Sequence, residues 1–130
     1  MGENQMKLVD TSAWVEYLRS GHSEVAGLVE SLVVSGDAAL CDMVMLELWN
    51  GARGLPEKRK LAELSAASPL LETNAEVWKL AHRLATLCRD KGNTIPAADI
   101  LVAACATYHA VELQHKDSHF DIILPLAKSL

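Results

Sequence analysis

Met6-Lys7-Leu8-Val9-Asp10-Thr11-Ser12-Ala13-Trp14-Val15 passes from a short apolar run, through one acid, into a helix start, and its reading decides the fold. Residues 6–9 have strand character, whereas Trp14, Val15 and Leu18 recur at helical spacing until the break at Ser20-Gly21. The alternation repeats downstream. Ser23 caps a helix with the stripe Val25, Leu28, Val29, Leu32 and Val33, and after Ser35-Gly36-Asp37 the run Ala38 to Cys41 reads as a buried strand. A helix from Met43 to Ala52 carries Glu47, and Pro56 suits the first turn of the next, to Ala67. Leu70-Leu71-Glu72 is a third strand, and Thr73 or Asn74 caps a long helix to about Asp90. Pro96 starts an alanine-rich helix over 96–108 that packs closely on its neighbours, residues 110–114 form another strand, and a short helix follows Asp117. Strands joined by helices need crossovers, so the chain predicts an α/β fold in three layers, a central parallel sheet of about four to five short strands flanked by helices.

Residues 1–130, half of them hydrophobic, suffice for one domain with a core that needs no staples. Met1 to Gln5 reads as no signal peptide, and no apolar stretch approaches the ~20 residues of a membrane span, so a cytoplasmic protein is expected. Cys41, Cys88 and Cys105 are odd in number and far apart, which argues for buried reduced thiols over a disulfide framework or a zinc knuckle. A net charge of −5 argues against nonspecific affinity for nucleic acid. Basic residues nevertheless gather over 53–60 and 83–91, either as solvated helix faces or as local nucleic-acid contacts.

Four acids are locally out of place. Asp10 ends the first apolar run, Glu47 interrupts Met43-Val44-Met45-Leu46 before Leu48-Trp49, Asp99 is the lone charge between Gly92 and Glu112, and Asp117 follows the strand-like Ala110-Val111-Glu112-Leu113. Unpaired carboxylates near an apolar interior neutralise themselves or destabilise the fold unless a cation gathers them. Asp10 and Asp117 fall at carboxyl ends of strands, where parallel sheets bind ligands, and Glu47 and Asp99 are expected near the starts of their helices. A hard divalent cation, Mg²⁺ or Mn²⁺, fits such a donor set and suits phosphodiester hydrolysis. Each acid has a structural reading as well: Asp10 as a helix N-cap, Asp99 as a complement to its helix dipole, Glu47 in a structural pair, Asp117 as a cap of the last helix. Asp121 reads as surface charge. His115 and His119 lack the Glu of a zinc-protease helix and read as ordinary surface or loop histidines. Trp14, Trp49 and Trp78 read as core or dimer packing ahead of base stacking.

Lys7-Leu8-Val9-Asp10-Thr11-Ser12-Ala13-Trp14, Met45-Leu46-Glu47-Leu48, Pro96-Ala97-Ala98-Asp99-Ile100-Leu101-Val102-Ala103-Ala104 and Lys116-Asp117-Ser118-His119-Phe120 resemble, in order and spacing, the four blocks of PIN-domain nucleases. So short a chain is similar to the VapC-type toxins of that family. The resemblance implies a Mg²⁺- or Mn²⁺-dependent endoribonuclease acting on RNA, a homodimer, and inhibition by a cognate antitoxin. Asp10, Glu47 and Asp99 match the family's metal-binding acids, Asp117 the more variable fourth, and Ser12 a hydroxyl that supports the first. Two departures stand out. His115 replaces the usual Thr or Ser two residues before the fourth acid, and the final Pro125-Leu126-Ala127-Lys128-Ser129-Leu130 leaves the family's last edge strand short or absent. Dimer contacts are expected from apolar residues of the helical region 43–90, and antitoxin contacts near Trp14 or Trp49. Two other readings stay open: a catalytically quiet PIN-like binding module, and another metal-dependent phosphohydrolase, for which the second Asp expected two residues after Asp10 is missing because position 12 is Ser.

Overall fold

The computed structural model describes residues 5–130; residues 1–4, and with them most of the segment read as lacking a signal peptide, lie outside the described residues. Strands β1 (Lys7–Val9), β2 (Ala38–Cys41), β3 (Leu70–Leu71) and β4 (Glu112–Gln114) form one parallel sheet in the order β3-β2-β1-β4. Lys7 pairs with Ala38 on one side and Glu112 on the other, and Leu40 pairs with Leu70. The helices are α1 (Thr11–Val15), α2 (Glu24–Ser35), α3 (Asp42–Asn50), α4 (Gly54–Ala67), α5 (Ala75–Asp90), α6 (Ala97–Tyr108) and α7 (His119–Ala127). The α/β architecture, the parallel sheet and its flanking helices are therefore as the sequence predicts. Four strands are present among the described residues, and the chain after β4 is helical, with no fifth strand.

Local chemistry explains the element ends. The Ser23 side chain accepts from the Ala26 N–H and the Asn74 side chain from the Val77 N–H, each at 3.0 Å, satisfying donors that a helix start leaves open. Gly36 closes α2 with φ 79°, a conformation that favours glycine. Beyond α1 the chain forms a π-helical turn over Glu16–Ser20, which periodicity did not foretell. Its Arg19 reaches out of the turn to the Gly51 carbonyl and the Glu57 carboxylate, and such a distant contact has no local signature.

The core joins both sheet faces to the helices. Leu8 and Val9 are fully buried, as are Val44, Leu84, Phe120 and Ile123, and every residue from Ile100 to Ala106 is buried. Helix α6 is thus enclosed all round, packed against α3, α5, α7 and β4, and its alanines permit that close approach. Trp14 belongs to this core at 0 % exposure, in keeping with its reading as core packing, and presents no surface for the antitoxin contact expected near Trp14 or Trp49. Trp49 and Trp78 are 41 % and 47 % exposed. All three cysteines are free and buried. No helix among the described residues is long and apolar enough to cross a membrane.

Candidate metal centre

Asp10 leaves the carboxyl end of β1 and caps α1. Its Oδ2 accepts the Ser12 amide N–H at 3.1 Å and the Ser12 hydroxyl at 2.7 Å, and the residue is 3 % exposed. The capping role and a place in the acidic site are compatible, because the cap uses only one carboxylate oxygen. The Ser12 oxygen in turn accepts the Lys116 amide N–H at 2.9 Å, tying the first acid to the loop that bears the fourth. Thr11, next along α1, donates from Oγ1 to Glu47 Oε1 at 2.8 Å, a partnership that the sequence reading passed over.

Glu47 projects from the second half of α3, not from its start; the helix begins at Asp42, so dipole stabilisation from the N-terminus does not reach it. Burial lifts its pKa above the ordinary range, and the charges of Asp10, Asp99 and Asp117 lift it further against the Thr11 hydrogen bond. Asp99 does lie in the first turn of α6. Burial raises its pKa too, opposed by a hydrogen bond from His119 and reinforced by Asp117 and Asp10. The charges of Asp10 and Asp117 thus reach both Glu47 and Asp99, which places all four acids in one electrostatic cluster.

The loop between β4 and α7 completes the arrangement. His115 Nδ1 accepts the Asp117 N–H at 3.3 Å, and its ring leans on Phe120. Asp117 Oδ1 accepts the His119 N–H at 2.9 Å, which secures the entry to α7. His119 then enters the cluster, with Nδ1 2.9 Å from Asp99 Oδ2 and 3.2 Å from Asp117 Oδ1. The reading of His119 as an ordinary surface histidine is overturned; the available signal was its place two residues after an acid already singled out. Donor atoms of Asp99, Asp117 and His119 lie within 4.8 Å of one another. Burial and neighbouring negative charge raise the pKa values of Glu47 and Asp99, a strain that a hard cation relieves, so the carboxylates of the cluster fit Mg²⁺ or Mn²⁺. Lys116 Nζ sits on Glu16 and holds that carboxyl below its ordinary range, so this cation lies with Glu16 and not with the acids of the cluster. Asp121 is exposed, as expected of surface charge.

Residues 7–123 match the model of the PIN domain. The chain belongs to the PIN-domain family. Within it, the chain is 33 % identical over 122 residues to ribonuclease VapC11 of Mycobacterium tuberculosis, covering 91 % of both chains, and equally so to VapC ribonuclease Mb1587 of Mycobacterium bovis. Among solved structures, this PIN domain is similar to VapBC2 from Rickettsia felis, bound to a DNA fragment from its promoter, with a TM-score of 0.76 at 16 % identity over 94 % of this chain and 95 % of the other. FitAcB from Neisseria gonorrhoeae gives 0.71 at 23 % identity over 95 % and 94 %. Those likenesses, at such identities, speak for the fold.

Proposed function

We propose that this PIN domain is a metal-dependent endoribonuclease, the toxin of a toxin–antitoxin pair that acts in the cytoplasm. One observation carries the reading: Asp10 at the end of β1 and Asp117 in the loop before α7 lie close enough to Glu47 on α3 and Asp99 on α6 for their charges to raise the pKa of both, at the carboxyl edge of a parallel sheet. Asp10, Glu47, Asp99 and Asp117 would hold Mg²⁺ or Mn²⁺, which when bound lowers the pKa of water and screens phosphate charge. The protein's own share is positional. Ser12 fixes one oxygen of Asp10, Thr11 fixes one of Glu47, and the Lys116 amide, donating to Ser12 Oγ, ties the first of these pairs to the Asp117 loop. A phosphodiester entering this edge meets carboxylates already oriented, with little reorganisation left to make.

Resemblance to VapC ribonucleases supports RNA as substrate and an antitoxin as partner. Leu46 and Trp49 are exposed on α3 and Leu55 on α4, and we assign the antitoxin contact to them. A hollow of ≈ 200 Å³, lined by Met43, Trp78, Ala81, Ala85, Ile100 and Leu101, is the surface we assign to a homodimer. The test is incubation of metal-free protein with structured RNAs, with and without Mn²⁺, beside Asp10→Asn. Cleavage that requires Mn²⁺ and vanishes in the variant is expected; cleavage that persists in EDTA refutes the mechanism.

A further inference from the structure

The His119 ring reaches into the acidic cluster by a route that no ligand spacing announces. Its Nδ1 faces Asp99 Oδ2 and Asp117 Oδ1 at 2.9 and 3.2 Å. An ionised carboxylate only accepts hydrogen bonds, so the bond between Nδ1 and Asp99 Oδ2 places the proton on Nδ1. That donor serves an oxygen on α6, and Asp117 Oδ1 lies beside it at ion-pair distance. The His119 amide N–H donates to Asp117 Oδ1, so one residue holds two carboxylates, Asp99 by its ring and Asp117 by its backbone. The second oxygens, Asp99 Oδ1 and Asp117 Oδ2, accept no hydrogen bond from the described residues.

A protonated Nδ1 has no lone pair for a cation. We propose that His119 is a positioning residue that holds Asp99 through its ring Nδ1–H and Asp117 through its backbone N–H, by one oxygen each, and leaves the other two for the metal ion. This rests on the metal-dependent reading above and adds the group that sets the distance between two of its carboxylates. Metal sites commonly fix their carboxylates by such outer hydrogen bonds, which control affinity without touching the ion.

Asparagine and glutamine separate this role from a merely structural one. The side-chain amide of His119→Asn places an N–H near the Nδ1 position, that of His119→Gln reaches toward Nε2, and His119→Ala removes the donor. Mn²⁺ affinity of the full chain, titrated by calorimetry and by the electron paramagnetic resonance of the free ion, should fall by roughly tenfold or more in the Ala and Gln variants and return to within about threefold of the parent in Asn. Ala binding Mn²⁺ like the parent, or Asn failing to restore it, overturns the proposal. Nitrogen coupling from an imidazole in pulsed resonance of the bound Mn²⁺ does so too, since it makes the ring a ligand. Long-range ¹H–¹⁵N spectra of the metal-free parent must show the proton on Nδ1, and a proton on Nε2 alone refutes the idea whether or not any variant folds. Asp99→Asn in the same titration separates the two levels. If it binds Mn²⁺ like the parent, the metal-dependent reading and the role of His119 both fall; if it loses the ion while His119→Ala keeps it, only His119 is reassigned.

Discussion

Asp10 and Asp117 stand beyond the ends of neighbouring strands, yet one is nearly inaccessible and held within its own helix turn, while the other is half-buried in a loop ordered by two histidines. Asp10 follows β1 directly, at the centre of the sheet, and its cap hydrogen bonds come from Ser12 alone. Asp117 lies three positions past β4, an edge strand, and takes its place from the His115 ring, the His119 ring and the His119 amide. The difference is between an acid fixed by the fold and one fixed by its neighbours. Substitution at the first should remove function outright, whereas the second should tolerate change in proportion to what its neighbours can still hold.

The sharpest way to break this comparison is to neutralise each acid in turn. Asp10→Asn or Asp99→Asn should reduce RNA cleavage by more than the roughly hundredfold expected when an outer partner of a metal is lost, while circular dichroism remains native. Asp117→Asn should cost about tenfold, nearer the lower end of that range. Equal losses at Asp10 and Asp117 would show that the loop is as firmly set as the strand end.

A second prediction concerns pH. Burial and neighbouring carboxylates raise the folded-state pKa values of Glu47 and Asp99, and a raised acid favours the folded state while protonated. That contribution is present at low pH and is lost as pH rises through the raised values, above the ordinary carboxylate range of about 4 to 4.5. Metal-free protein should therefore melt at a higher temperature in mildly acidic buffer than at neutral pH, and Asp99→Asn should narrow the gap. Thermal melts of both across that window, in EDTA, decide the matter; an unchanged gap would mean that the acids do not repel one another as described. Smaller still, Ser12→Ala removes two hydrogen bonds around Asp10 and should cost about 1–2 kcal/mol of stability in denaturant titration. Asp121→Asn, exposed on α7, should change stability by less than about 0.5 kcal/mol.

How far the molecule was legible follows the same division. Asp10, Glu47 and Asp99 stood out because each ends or interrupts an apolar run, and the caps Ser23 and Asn74 because a capping side chain acts within three residues. The parallel sheet followed from strands alternating with helices. What stayed hidden depends on contacts between distant segments. Thr11 finds Glu47 across 36 positions, and His119 finds Asp99 across 20. The position of Glu47 in α3 was misjudged for a different reason: the helix start was read at Met43, one residue from the observed Asp42, but Glu47 lies more than a turn beyond it, past the reach of the N-terminal partial charge.

Both margins of the sheet are abbreviated. β3 has two residues and β4 three, and β4 carries Glu112, bridged to Lys7 on its neighbour at 3.3 Å. Strand margins invite other chains only when they present a long, flat row of open backbone groups, and short, charged ones discourage it. The lateral route by which parallel sheets join end to end into larger assemblies is thereby closed on either side. Association of this protein with itself or with another chain is left to the helical surfaces, where Trp49 and Trp78 stand exposed.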